Sequence, residues 1–150
     1  MNIALDLLQF KADLKTKTVE GQSYLFDAIR KKYLVKTPEE LVRQLLVFHL
    51  LKVAQYPSAR IAIEKELIIN QRQKRFDLLV YSKSFQPLIL IECKAPKVQL
   101  SDQTFRQAAT YNFKLKADFL VITNGISTYC CQMNYEEKTY QFLDTIPNDS

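Results

Sequence analysis

Four consecutive apolar residues, Leu88-Ile89-Leu90-Ile91, run directly into Glu92-Cys93-Lys94 with no turn residue between them. A short apolar run of this kind reads as a strand buried on both faces, so the chain must cover a sheet from two sides. Side chains alternate along a strand, so Glu92 and Lys94 project from the same face. A charge at the mouth of an apolar run is costly unless something pairs or coordinates it. Arg75-Phe76-Asp77 precedes this strand by one short hairpin. An aspartate on the neighbouring strand completes a set of two carboxylates and an ammonium. Such a set can hold a divalent metal and direct a water molecule at a phosphate.

The surrounding pattern supplies the layers. Thr37-Pro38-Glu39-Glu40 is a helix start, with threonine as N-cap, proline at the first helical position and glutamate three residues after the cap. The helix is predicted to run to about Gln55, with Leu41, Leu45 and Phe48 on one stripe and Val42, Leu46 and Leu50 beside it. Ile61–Ile69, Arg75–Tyr81 and Leu88–Lys94 form an antiparallel meander, with Asn70–Lys74 as a polar turn. Ser101 caps a second helix to about Lys116, packed through Phe105, Ala108, Ala109 and Asn112, with Phe113 also assigned to the core. Ala117–Thr123 follows this crossover as a strand parallel to the third. Asn124-Gly125 turns, and Ser127–Met133 with Lys138–Phe142 closes as a hairpin. Ahead of this core, residues 1–36 read as an N-terminal arm, strand-like over Leu8–Leu14 and amphipathic over Tyr24–Tyr33. The expected architecture is an α/β fold of α+β type, a mixed sheet in αβββαβ order with a C-terminal β-hairpin. It forms one domain over 1–150 with its core at about 37–123.

Composition removes several chemistries. His49 is the only histidine, which excludes zinc sites built on two histidines and phosphodiester chemistry run by a histidine pair. With only Gly21 and Gly125, neither a Walker A loop nor a dinucleotide-binding glycine cluster can form. Three cysteines, two of them adjacent, make no disulfide framework and read as small apolar residues. No apolar run approaches a membrane span, and the first residues lack a secretory signal pattern, so the expected location is cytoplasmic, with no membrane partner. A formal charge of +5 suits a polyanion. Arg30, Lys31 and Lys32, then Arg72, Lys74 and Arg75, then Lys97 and Arg106 are the candidate phosphate contacts.

Asp77 and Glu92 are the candidate metal ligands, with the backbone carbonyl of Cys93 as a further oxygen. Hard cations such as magnesium, or manganese, take carboxylate oxygens together with waters and substrate phosphates. A metal there lowers the pKa of the attacking water. Lys94 then either stabilises charge growing on the phosphate or helps deprotonate that water. The bland alternative is an exposed Glu92–Lys94 ion pair contributing about 0–1 kcal/mol. Glu40 has two roles open to it, third acid of the site or capping-box glutamate. Gln107 and Tyr111, four apart on the second helix, either orient Lys94 and touch a sugar–phosphate backbone or form an ordinary polar face.

Taken together, Thr37-Pro38-Glu39-Glu40-Leu41-Val42-Arg43-Gln44, Arg75-Phe76-Asp77, Ile91-Glu92-Cys93-Lys94-Ala95-Pro96, Gln107 with Tyr111, and Thr123-Asn124-Gly125 resemble the N-terminal nuclease domain of type I restriction enzyme R subunits. That domain belongs to the PD-(D/E)XK nuclease superfamily, whose core has the αβββαβ order. The likeness covers residues 24–130 or thereabouts. It implies Glu40 as the helix acid, Asp77 and Glu92 as metal ligands and Lys94 as the catalytic lysine, with Gln107 and Tyr111 matching a following glutamine and tyrosine. Phe76 stands where the superfamily's name has proline. The R subunit's ATP-driven motor has no counterpart in these residues.

The resulting expectation is a magnesium-dependent DNA endonuclease domain, hydrolysing phosphodiester bonds within a restriction system. Cutting two strands asks for two sites, hence a homodimer or a restriction-system partner subunit. Two other readings compete with it. One is a non-catalytic nucleic-acid-binding or assembly protein that keeps the nuclease fold; the other is an interaction module with neither metal nor nucleic-acid affinity.

Overall fold

The computed structural model of the protein describes residues 2–69 and 71–149. Within strands, the side chains of Lys65, Glu66, Leu67, Ile69, Arg72 and Lys74 fall outside the description. The described elements are β1 (Thr16–Val19), β2 (Gln22–Asp27), β3 (Lys32–Val35), α1 (Pro38–Lys52), β4 (Ile61–Ile69), β5 (Arg72–Tyr81) and β6 (Pro87–Cys93). They continue with α2 (Asp102–Leu115), β7 (Phe119–Thr123), β8 (Thr128–Asn134) and β9 (Thr139–Leu143). The larger sheet runs β4-β5-β6-β7-β8-β9, antiparallel except for the parallel pair β6–β7 across the α2 crossover. This mixed sheet with its helices is the expected α+β fold.

The apolar run of β6 sits where its composition demands. Ile89, Leu90 and Ile91 are fully buried at the centre of the sheet. Ile89, Ile91 and Cys93 face one core with Val42, Leu46 and Leu50 of α1. Leu90 faces the other core with Phe105, Ala108 and Ala109 of α2. A helix therefore covers each face of the strand.

Both helix starts follow their local chemistry. The Thr37 hydroxyl accepts the Glu40 amide at 3.1 Å, and Pro38 fills the first helical position. Ser101 accepts the Thr104 amide at 3.2 Å in the same way. α1 stops at Lys52, short of Gln55. The Val53 and Ala54 amides both close onto the His49 carbonyl, and Gln55 turns to a φ of 64° before Tyr56-Pro57. α2 ends at a left-handed Lys116, locked by buried Asn112, whose side chain bonds Ala117 through both its amide and its carbonyl. Gly125, at φ 87°, turns against α1; a Cβ there would lie 3.1 Å from Val42 Cγ2.

The hairpin from β4 to β5 is tighter than expected. Ile69 pairs with Arg72, so β5 begins three residues before Arg75; the expected turn residue Asn70 is outside the described residues.

The N-terminal region departs most from expectation. Leu7–Asp13 form a 3-10 helix rather than a strand, burying Leu7 and Phe10 against α1. Tyr24–Tyr33 is not one amphipathic segment. It spans β2, a loop and β3 of a separate antiparallel sheet, ordered β1-β2-β3. Glu20 and Gly21, both at positive φ, form the two-residue turn between β1 and β2, the geometry that suits the twist of such hairpins. Asp27 makes the next turn. It is fully buried, and its carboxylate accepts the Ile29 and Arg30 amides at 2.9 Å each and Arg30 Nε at 2.7 Å. Burial opposes its ionisation, but these donors outweigh burial and hold it below the usual carboxylate range.

Candidate active site

The site forms where β5 loses its alternation. Leu78 and Val80 belong to the α1-side core, whereas Phe76 and Leu79 belong to the α2-side core. The inward side therefore slips across Asp77. The β4–β5 register is the same on either side of the slip, with Ile63 opposite Leu78 and Lys65 opposite Phe76. Glu64, opposite Asp77, takes up the distortion at φ 51°. A glutamate in this conformation is strained by about 1–2 kcal/mol, and such strain clusters at functional positions.

Asp77 consequently lines a cavity of about 490 Å³ on the α1 side, together with Glu40, Arg43, Glu64, Arg30 and Cys93. Its Oδ2 accepts the Cys93 amide at 2.7 Å, which ties the aspartate to the end of β6. On the α2 side a smaller cavity of about 100 Å³ holds Glu92 and Lys94 with Arg75, Gln107 and Tyr111. The Asp77 and Glu92 carboxyl groups, one in each cavity, approach closely enough for Glu92 to favour the charge on Asp77. Burial raises the Asp77 pKa above the usual carboxylate range, against the Cys93 amide, Arg43, Glu92 and Lys94, which all favour its charge. Lys94 is half-buried, and its backbone amide donates a hydrogen bond to the Thr123 carbonyl at 2.8 Å.

Arg43 organises the α1 side. Only 7% exposed, it engages Glu40 through Nε at 3.0 Å and also through Nη2. The same Nη2 lies 3.1 Å from Glu64, and Nη1 lies 3.9 Å from Asp77. Desolvation works against the buried guanidinium, yet its acids raise its pKa further above an already basic value. Burial opposes ionisation of Glu64, but Arg43, Arg30 and Arg75 hold it below the usual carboxylate range. Glu40 also receives Gln44 Nε2 at 3.1 Å. Its carboxylate is thus turned to Arg43, while its backbone amide is the one Thr37 caps.

Hard oxygen donors close together, at the end of a buried strand, suit a divalent cation that retains waters and takes further oxygens from a substrate. The donor set stops at this pair: no group of three or more histidine, cysteine, aspartate or glutamate side chains among the described residues is arranged to hold a metal. The cysteines contribute no ligand side chain there; all three are buried thiols, and burial pushes Cys130 and Cys131 up to about 12. His49 is buried in α1, away from both cavities, and burial lowers its pKa.

Of the basic candidates, Arg30 and Lys32 edge the larger cavity and Arg75 the smaller. Lys31 and Lys97 are exposed in turns, and Arg106 borders a separate hollow with Phe105 and Tyr140. Arg72 and Lys74 lie on β5 with side chains outside the description. Arg43 and Glu64 were not singled out from sequence. Arg43 carried a signal, three residues after Glu40 on one helix face. Glu64 needed the β4–β5 register, which a turn beginning at Asn70 and ending at Lys74 would have misplaced.

Comparison with known proteins agrees with this fold. The model for the family described as the type I restriction enzyme R protein N terminus matches residues 38–147. Among solved structures, the chain is similar to a fragment described as an HsdR subunit of a type I restriction enzyme from Vibrio vulnificus YJ016. The likeness has a TM-score of 0.52 and 21% identity, and covers 75% of this chain and 24% of that one. At that identity the likeness speaks for the fold alone, and the chain spans about a quarter of the length of the protein it resembles. No curated protein sequence matches. With 110 residues aligned to the family's pattern, from α1 through the closing hairpin, the chain belongs to the type I restriction enzyme R protein N-terminus family.

Proposed function

We propose that the chain is a metal-dependent DNA endonuclease domain acting within a restriction system. The observation that carries this reading is the approach of Asp77, from the middle of β5, to Glu92, at the end of β6, with Lys94 in the Glu92 cavity. Asp77 and Glu92 would hold magnesium or manganese, which when bound supplies an acidified water and charge neutralisation at the phosphorus. Lys94 offers an ammonium from the same strand end to the phosphoryl oxygens. Gln107 and Tyr111 border the Lys94 cavity and position that side chain or the sugar–phosphate backbone. Catalysis of this kind rests on positioning and on electrostatic stabilisation. In the expected result, purified protein nicks supercoiled plasmid with magnesium or manganese, stops in EDTA, and loses the activity in Asp77→Ala. Equal nicking by wild type and Asp77→Ala would remove the site assignment.

One observation favours a second reading, a nucleic-acid-binding or assembly protein that keeps the fold without cutting. Arg43 already supplies positive charge to Glu40, Glu64 and Asp77, the acids that would otherwise gather around a cation. That reading expects salt-dependent DNA affinity with no magnesium binding.

A further inference from the structure

We propose that the outward face of the β1–β3 sheet is a stacking platform for single-stranded nucleic acid. The inference rests on the reading that the partner is nucleic acid and names the surface that takes it. This region precedes the stretch matched by the family model, which begins at residue 38.

The sheet has two unlike faces. Leu25 and Asp27 point inward and are fully buried. Alternation sends Lys15, Lys17, Tyr24, Phe26 and Tyr33 to the opposite face. The register sets them in rows, Lys17 beside Tyr24 and Phe26 beside Tyr33, with the Phe26 amide bonded to the Lys15 carbonyl. The rings of Phe26 and Tyr33 meet edge-on at 5.1 Å. Lys17 Nζ stands 4.2 Å from the Tyr33 ring and Lys15 Nζ 5.4 Å from the Phe26 ring. Lys15, Lys17 and Tyr33 are exposed, and no acidic residue of these strands shares the face.

Charge selects the occupant. Residues 15–36 hold six basic side chains against two acids, a net +4 out of the whole chain's +5; Arg30 pairs with the inward Asp27 and Lys32 shares its side, while Lys15 and Lys17 stand on the outward face. A duplex would engage only the lysines, because its bases are already stacked. Aromatic rings interleaved with lysines on a sheet suit unpaired bases, whose phosphates the lysines neutralise. The platform also leads to the candidate site: Val35, at its edge, lines the larger cavity beside Arg30 and Asp77.

The test is fluorescence anisotropy in EDTA with a labelled oligothymidylate of about 12 nucleotides, within the site sizes of single-strand binders. An abasic strand of the same length and a duplex serve as comparisons. Wild type is expected to bind the oligothymidylate about 10-fold tighter than the abasic strand, the size of one good stacking contact. Tyr33→Ala should erase that preference and Tyr33→Phe restore it. Lys17→Ala should weaken both strands alike, and Asp77→Ala should leave the preference intact. Equal affinity for thymidylate and abasic strands would overturn the proposal, as would duplex preference unaffected by Tyr33→Ala. So would a dimer in sedimentation that Tyr33→Ala dissociates, since a second copy would then occupy the face. Uncut plasmid with Tyr33-dependent binding defeats the nuclease reading alone; cut plasmid with equal strand affinities defeats only the platform.

Discussion

Replacing Arg43 by leucine is expected to destabilise the fold by about 3–5 kcal/mol, the usual consequence of removing one member of a buried ion pair. Glu40 is 6% exposed, so without the guanidinium it keeps only the Gln44 amide as a neutral donor. Glu64, more exposed, would adjust by turning to Arg30 at 3.4 Å or Arg75 at 3.9 Å. The loss should therefore come mainly from Glu40. The double variant Arg43→Leu/Glu40→Leu is expected to recover most of it, because no uncompensated buried charge remains. Urea unfolding of the three proteins checks this. A loss below about 1 kcal/mol for the single variant would mean that Arg43 acts as an exposed pair does.

The second large effect concerns Lys94. Lys94→Ala is expected to lower plasmid nicking by about 100-fold or more, the size of effect seen when one transition-state donor is removed. Because Lys94 is not one of the proposed ligands, magnesium binding should survive the change. Loss of nicking together with loss of magnesium binding would place Lys94 in holding the site together rather than in the chemistry. The comparison is informative because Lys94 and Asp77 line different cavities, with the second proposed ligand, Glu92, in the Lys94 cavity.

The core was legible wherever local chemistry and periodicity agreed. Thr37, Pro38 and Ser101 mark helix starts that the structure keeps, and Phe105, Ala108, Ala109 and Asn112 are all buried on one face of α2. β7 lies parallel to β6, as a helical crossover requires. Legibility failed where strands are short and their outward side chains polar. β1 is exposed along its whole length, so no apolar alternation announces it, and β2 is recognisable only once Asp27 is seen as the capping residue of its turn. The apolar residues Leu7 and Phe10 are three apart, a spacing that a 3-10 helix aligns and a strand does not.

The candidate site was legible in part. The strand end bearing Glu92 and Lys94 could be read from the apolar run, and Asp77 from the neighbouring strand. The distribution of these groups over two cavities could not, because it depends on the slip of β5 across Asp77 opposite a positive-φ Glu64. Arg43 belongs to the helix motif, but its role follows from three acids converging on it, two of them from outside its own helix.

The most direct measurement is calorimetric titration of magnesium into the metal-free protein and into Asp77→Asn. The wild type is expected to bind one divalent ion per chain between the two neighbouring carboxyls, while the amide variant takes up none. Identical titrations for the two proteins would contradict the account at its centre.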